Sequence, residues 1–191
     1  MKISKTELRK KYLSIRKDIP NKKELSLGIF NIVYDLKEYK NAKVIALFSS
    51  MKDEIDTTSF ALKCLEDHKR ICFPKVVSDG NMDFYFVGSL TELNSVGPFK
   101  IKEPSQNRFN LVRKEDIDLM IVPGICFDRK LNRVGFGKGY YDNYLRGQKN
   151  IYKLVVTFSD LIIDDEIAST ENDVLVDKIV SEKEIIKWDE K

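Results

Sequence analysis

The 191-residue sequence has few of the residues on which the commonest metal and nucleophile sites depend. It contains one histidine, His68, which excludes a His-based metal site and a Ser-His-Asp triad. Its cysteines, Cys64, Cys72 and Cys126, are odd in number and show no C-x-x-C spacing. We therefore expect free, buried thiols, as in a reducing cytoplasm. Because no histidine is left over as a base, we expect Cys126 to pack in the core.

Long apolar runs and a strong excess of one charge are also missing. No stretch approaches the roughly 20 apolar residues of a membrane span, and no apolar core follows a basic N-terminus. We therefore expect a cytoplasmic protein without a membrane partner. The net charge is only +3 although 33% of the residues are charged. This argues against a nucleic-acid partner, since groove binders carry clustered basic residues. The length predicts a single domain, residues 1–191.

Hydrophobic periodicity predicts alternating helices and strands. Ser4 and Glu7 form a capping-box pattern before a helix over 5–18, and a second helix starts at Asn21. Runs typical of strands cover 44–48, 71–77, 82–87, 119–122, 154–158 and 178–180. Further helices are predicted near 57–67 and 140–146, with an irregular connection over 91–113. This alternation predicts a three-layer α/β/α single domain with a mostly parallel sheet.

Residues 133–142, Arg-Val-Gly-Phe-Gly-Lys-Gly-Tyr-Tyr-Asp, concentrate the residue types of phosphate binding. Gly135, Gly137 and Gly139 lack the side chains that would stop a backbone from curling round an anion, and Lys138 adds a cation. A helix that begins just after them would add the positive end of its dipole. The spacing matches neither a P-loop nor G-x-G-x-x-G, so the glycines alone are equally compatible with a structural turn.

The residues around this glycine loop favour the phosphate site. The apolar run 118–122, closed by Pro123 and Gly124, predicts that the loop leaves the carboxyl end of a buried strand. Ligands bind at that edge of open α/β sheets. Asp142 would then hold a magnesium ion shared with the phosphates. The alternative is an acid in the first turn of a helix, stabilised by the dipole.

Two further groups of polar residues are candidates for the site. Lys5 and Arg9 share one helix face, which is either solvated or a clamp on nucleotide phosphates. The stretch 49–54 follows the first predicted strand and so belongs to the same rim as the glycine loop. Glu54 would accept hydrogen bonds from a heterocycle, or would be a helix-entry acid before the cap at residues 56–57.

Together these motifs resemble the 5-formyltetrahydrofolate cyclo-ligase family, also called methenyltetrahydrofolate synthetases. The resemblance rests on residues 5–9, 51–57, 123–128 and, most specifically, 132–142. Weaker similarities are Phe73-Pro74, the stretch from Gly97-Pro98-Phe99 to Glu103-Pro104, and Glu171-Asn172-Asp173. They follow the family's order over almost the full length of the chain.

The resemblance implies an enzyme with two small-molecule substrates, a reduced folate and ATP, and with Mg²⁺ as cofactor. The reaction would close 5-formyltetrahydrofolate to 5,10-methenyltetrahydrofolate through a phosphorylated formyl intermediate and release ADP and phosphate. An alternative is a relative that binds ATP or folate without catalysis. We expect a monomer or a weak homodimer.

The resemblance also implies site residues, position by position. The ATP contacts would be Lys5, Arg9, Arg133, Gly135, Phe136, Gly137, Lys138, Gly139, Tyr140 and Tyr141. The catalytic residues would be Lys138, Arg133 and Tyr140, with Lys138 neutralising charge on the transferring phosphoryl group. The folate contacts would be Ser49, Ser50, Met51, Glu54, Phe136 and Tyr140. Magnesium would be held by Asp142 and Asp173. Phe136 stands where family members often carry Arg or Tyr.

Overall fold

The computed structural model describes residues 3–97 and 101–188, which form β-sheets with flanking helices. The helices are α1 (Lys5–Asp18), α2 (Lys22–Asp35), α3 (Lys37–Asn41), α4 (Thr58–Glu66) and α5 (Tyr140–Leu145). The first six strands are β1 (Val44–Ala46), β2 (Arg70–Ser78), β3 (Asn81–Val87), β4 (Ser95–Val96), β5 (Lys102–Glu103) and β6 (Leu119–Ile121). The others are β7 (Cys126–Asp128), β8 (Arg133–Val134), β9 (Tyr152–Val156), β10 (Ile162–Ile163), β11 (Lys178–Val180) and β12 (Ile185–Lys187). Pro98 and Phe99, part of the weaker similarity, lie outside the described residues.

A seven-stranded sheet in the order β12-β11-β9-β6-β1-β2-β3 forms the centre of the molecule. Its five inner strands run parallel, and β12 and β3 pair antiparallel at the two edges. In the middle of the sheet Ile45 is in register with Ile71 and with Leu119. Strands covered on both faces read as continuous apolar runs, which is why these segments could be recognised from the sequence. The predicted mostly parallel α/β fold is confirmed.

Two cores lie on opposite faces of the sheet. On one face Ile45 packs with helices α2 and α4, where the rings of Phe30 and Phe60 stack with centroids 4.4 Å apart. On the other face Ala46 packs with α5, where Phe84 contacts Tyr144 with centroids 4.9 Å apart. These layers are the α/β/α arrangement that the alternation of elements predicts.

Helix α1 has the predicted bounds and lies against a third, smaller core. The hydroxyl of Ser4 accepts the N–H of Glu7 at 3.4 Å, which caps the first turn. Leu8 packs with Cys126 and Ile167 beneath the glycine loop. The second helix begins one residue after Asn21, whose backbone is left-handed with φ of 50° and whose side chain makes no capping bond.

The sequence did not reveal several short elements. A three-stranded sheet of order β10-β7-β8 follows the central strand β6, so the glycine loop leaves β8 and not β6 directly. The connection 91–113 includes the paired strands β4 and β5. Strands of two or three residues are shorter than the window in which alternation can be detected. Among the described residues, no helix has the length and apolar character needed to cross a membrane.

Candidate active site

A cavity of about 430 Å³ opens where the parallel strands end. Phe48 and Ser49 line it just after β1, and Pro123 lines it just after β6. The glycine loop and helix α1 form further parts of its wall. The site therefore lies at the edge of the sheet where α/β proteins bind ligands.

The glycine loop curls at the cavity in a conformation that its glycines permit. Gly137 has φ of 95° and Gly139 has φ of 71°, both in the left-handed region. A Cβ added at Gly137 would lie 3.3 Å from Cζ of Arg9. Lys138 is exposed and makes no ion pair or hydrogen bond with residues 3–97 or 101–188. The loop thus offers a cation and open backbone to a ligand.

Next to this loop, the buried Arg133 forms an ion pair with the half-buried Asp142. Nη1 and Nη2 of Arg133 donate to Oδ1 of Asp142 at 3.0 and 2.8 Å. The N–H of Val174 donates to the same oxygen at 3.0 Å. Burial lowers the pKa of the Arg133 guanidinium, and the charge of Asp142 opposes that shift. Both side chains line the cavity, so the pair fixes a positive and a negative group at one side of it.

Helix α1 contributes two more cations. Lys5 donates a hydrogen bond to Oδ1 of Asp173, and Nε of Arg9 donates to the carbonyl of Gly135 at 2.7 Å. The other oxygen of Asp173 accepts the N–H of Thr170 at 2.6 Å. Burial alone would raise the pKa of Asp173, but the bonds from Lys5 and Thr170 outweigh it and lower that pKa. Both predicted cations of α1 therefore reach the cavity, as does Asp173.

Asp142 and Asp173 are the carboxylates that the sequence predicts for magnesium. Each accepts hydrogen bonds from a protein cation, and no group of three or more His, Cys, Asp or Glu residues among the described positions is arranged to hold a metal. Magnesium commonly uses one or two carboxylates together with water and substrate phosphates. Asp142 and Asp173 both line the cavity, so they suit an ion that is also bound by water and substrate phosphates. They do not suit an ion enclosed wholly by protein ligands.

The loop after β1 is held by its own hydrogen bonds. The hydroxyl of Ser49 donates to the carbonyl of Lys102 at 2.7 Å. The hydroxyl of Ser50 donates to the carbonyl of Ile55 at 2.7 Å and accepts the N–H of Thr57 at 3.0 Å. Ser49 lines the cavity, whereas the half-buried Ser50 does not and instead braces the loop.

Glu54 is buried, with 7% of its surface exposed, yet it lines the cavity. One carboxylate oxygen accepts the N–H of Met51 at 2.9 Å, and the other accepts Nη1 of Arg16 at 3.3 Å. Burial raises the pKa of Glu54, and both bonds oppose the rise. Glu54 is therefore not a helix-entry acid. That role belongs to Asp56, whose side chain accepts the N–H of Thr58 at 2.9 Å.

The aromatic residues of the glycine loop complete this region. Phe136, 44% exposed, places its ring 5.6 Å from the guanidinium of Arg16. Tyr140 and Tyr141 line the cavity at the start of α5, and burial raises the pKa of Tyr141, which stays protonated at neutral pH. Cys126 packs with Leu8 and Val134 in the smaller core, where burial raises the pKa of its thiol to about 12. The prediction that Cys126 packs in the core is confirmed.

One wall of the cavity was not predicted. Its apolar part is made by Pro74, Val76, Met82 and Ile101. Beside them Nζ of Lys75 lies 3.4 Å from the carboxylate of Glu103. The sequence did offer one signal, because residues 82–87 alternate sides and Met82 falls on an inward position. No sequence feature near Met82 indicated that this strand would line the same cavity as the glycine loop.

Arg16 was also missed. It is 5% exposed and contacts two predicted site residues, Glu54 and Phe136. The sequence contained one indication that Arg16 is buried: this charged residue lies beside the apolar positions Ile15 and Ile19.

A family model and individual relatives of known name match this chain and indicate the same family. The model of the 5-formyltetrahydrofolate cyclo-ligase family matches residues 1–182. A probable 5-formyltetrahydrofolate cyclo-ligase of Schizosaccharomyces pombe is 30% identical over 175 residues, 85% of this chain and 86% of the relative. A 5-formyltetrahydrofolate cyclo-ligase of Mus musculus is 31% identical over 76% of each chain.

Two solved structures share the fold over nearly the whole chain. The 5,10-methenyltetrahydrofolate synthetase of Aquifex aeolicus superposes with a TM-score of 0.83 at 34% identity, covering 96% of this chain and 92% of that one. The corresponding enzyme of Mycoplasma pneumoniae superposes with a TM-score of 0.75 at 26% identity, covering 94% and 99%.

Proposed function

Because this chain belongs to the 5-formyltetrahydrofolate cyclo-ligase family, and is therefore a ligase, we propose that it closes 5-formyltetrahydrofolate to 5,10-methenyltetrahydrofolate with ATP and magnesium. ADP and phosphate are the other products. The observation that carries the proposal is a single cavity that contains both a cationic glycine loop and a buried, oriented carboxylate. The whole chain, residues 1–191, acts as one cyclo-ligase domain.

ATP binds along the glycine loop and helix α1. Lys5, Arg9 and the backbone from Gly135 to Gly139 surround the phosphates, since cations and open N–H groups are the donors that phosphate oxygens need. The ion pair with Asp142 fixes Arg133 beneath them. Phe136, Tyr140 and Tyr141 provide apolar surface beside the triphosphate. Lys138, which has no protein partner among the described residues, is the cation available to the transferring group.

The reduced folate binds against the loop after β1. Glu54 presents a carboxylate to the cavity and accepts hydrogen bonds from N–H donors of the pteridine, with Ser49 and Met51 beside it. Ser50 contributes by fixing the shape of that loop. Tyr140 and Phe136 line the same cavity and would lie near the reacting formyl group. Magnesium, held by Asp142 and Asp173 with substrate phosphates, would offset the negative charge of ATP.

The chemistry proceeds in two displacements. The formyl oxygen of the folate attacks the γ-phosphorus, the bond to the β-phosphate breaks, and ADP leaves. N10 of the folate then attacks the formyl carbon of this phosphorylated intermediate, loses its proton, and expels phosphate. Positioning and charge stabilisation supply most of the acceleration in phosphoryl transfers of this kind. A chain with one histidine can therefore perform the reaction.

The test is an absorbance assay at the near-ultraviolet band of the methenyl product. Purified protein is mixed with 5-formyltetrahydrofolate, and ATP and magnesium are omitted in turn. We expect product only when both are present, with one ADP released for each methenyl group formed. Binding of folate or ATP without product would instead favour the non-catalytic relative.

A further inference from the structure

Arg16 makes the side-chain contact that holds Glu54 from behind. Its Nη1 donates to Oε1 of Glu54 at 3.3 Å, and 6% of each side chain is exposed. The same guanidinium lies 5.6 Å from the ring centre of Phe136. One residue of helix α1 therefore touches both the loop after β1 and the glycine loop.

Arg16 lies outside the lining of the large cavity. Glu54 lines the large cavity of about 430 Å³, and Arg16 does not. Arg16 and Glu54 together line a second cavity of about 20 Å³, closed in by the apolar Ile55 and Phe158. Space of that size holds about one water molecule. Glu54 thus faces the large cavity on one side and Arg16 on the other.

The charges around Glu54 explain what Arg16 does there. Burial raises the pKa of Glu54, while the N–H of Met51 and the positive charge of Arg16 oppose the rise. Tyr141 of α5 also interacts electrostatically with this carboxylate, and it is neutral because burial raises its pKa. Arg16 is therefore a cation that opposes the rise in the pKa of this buried carboxylate, and the hydrogen bond from its Nη1 holds one of the two carboxylate oxygens.

We propose that Arg16 is a positioning residue for the folate, which orients the Glu54 carboxylate towards the large cavity. This inference rests on the proposed function, in which Glu54 accepts hydrogen bonds from the pteridine. It assigns Arg16 its main role in recognition of the folate, since Phe136, the other residue that Arg16 contacts, is proposed to border both substrates.

The variants that test this are Arg16→Gln and Arg16→Lys, with Arg113→Gln as the matched control. Arg113 is an exposed arginine that also pairs with a carboxylate, Asp116, outside the cavity. Because a hydrogen bond to a charged group is lost, we expect Arg16→Gln to raise the KM for the folate roughly tenfold and the KM for ATP less than about twofold. Arg16→Lys should recover most of the loss, and the control should match the parent protein.

The pH profile supplies a readout that a purely structural role would not move. Without Arg16 the pKa of Glu54 rises further, so the carboxylate protonates at a higher pH. The acidic limb of kcat/KM for the folate should shift upward in Arg16→Gln, and a Glu54→Gln background should abolish that shift. In that background Arg16→Gln should also cost little further folate affinity.

The possible outcomes distinguish a wrong role for Arg16 from a wrong proposed function. An active parent protein whose Arg16→Gln variant keeps its folate KM and pH profile would overturn the role of Arg16 alone. Equal losses towards folate and ATP would do the same, because they indicate general damage to the fold. A parent protein that forms no ATP-dependent methenyl product would overturn the proposed function, and this role of Arg16 with it.

Discussion

The glycine loop and the loop after β1 line the same cavity but are built in opposite ways. In the glycine loop, Gly137 and Gly139 are left-handed, and Lys138 projects without a protein partner among the described residues. In the loop after β1, the side chains of Ser49 and Glu54 are already engaged in hydrogen bonds. One wall offers unsatisfied donors, and the other offers a single acceptor whose direction is fixed.

The difference matches the two ligands that the site is proposed to bind. Phosphate groups carry several charged oxygens and accept donors from many directions, so an open backbone and an uncommitted cation suit them. A heterocycle is recognised by the direction of a few hydrogen bonds, which requires an acceptor held before the ligand arrives. We therefore expect damage to the first wall to impair turnover and damage to the second to impair folate binding.

The substitution Lys138→Ala should have the largest effect on turnover, and a small effect would contradict the proposed difference between the two walls. Lys138 is proposed to offset charge that grows during phosphoryl transfer, a contribution of about 3 to 4 kcal/mol for one electrostatic donor. Turnover should fall by about two to three orders of magnitude, while folate binding stays close to normal. Steady-state assays with Lys149→Ala, an exposed lysine away from the cavity, provide the control. Normal turnover in Lys138→Ala would remove that residue from the mechanism.

On the other wall, Glu54→Gln should raise the KM for the folate by about 10- to 100-fold, because hydrogen bonds to charged groups contribute about 1.5 to 3 kcal/mol. The KM for ATP should change little. Direct binding of each ligand, measured by calorimetry, checks the split between them. Comparable losses for the two ligands would show that the walls are not specialised.

The fold was largely predictable because its strongest signals are local. Buried parallel strands such as residues 44–48 and 119–122 read as continuous apolar runs, and Ser4 marks the start of α1. Signals for the small sheet of β7, β8 and β10 were weaker, because strands of two or three residues show no period.

The site was predictable only in part. The glycine loop and Glu54 are found from motifs, which lie within short stretches of sequence. Arg16 and the wall that includes Met82 lie far along the chain from the residues that they meet. Such contacts depend on how helix α1 and strand β3 pack, and the pairing of distant elements leaves no pattern in one sequence.

The substitution Gly137→Ala tests whether the first wall needs the left-handed backbone at Gly137 to bind ATP. An alanine at φ of 95° is strained, and its Cβ would lie 3.3 Å from Cζ of Arg9. A left-handed conformation costs a non-glycine residue about 1 to 2 kcal/mol. We expect the KM for ATP to rise about tenfold as the loop and Arg9 shift, with a smaller change for the folate. Equal KM values for ATP in the two proteins would mean that the loop need not hold this conformation.

The same substitution in the scaffold, Gly28→Ala, should have the smallest effect and the opposite sign. Gly28 lies exposed within α2, has ordinary helical backbone, and no atom lies within 4 Å of a Cβ added there. An alanine in the interior of a helix is more stable than a glycine by about 0.5 to 1 kcal/mol, because the unfolded chain loses less entropy on folding. For a chain of this size the Tm should rise by about 1 to 4 °C, with both KM values unchanged. Thermal unfolding of the two alanine variants side by side then separates a glycine that a ligand site requires from one that the fold merely tolerates. A lower Tm for Gly28→Ala would contradict this, because it would mean that α2 also depends on its glycine.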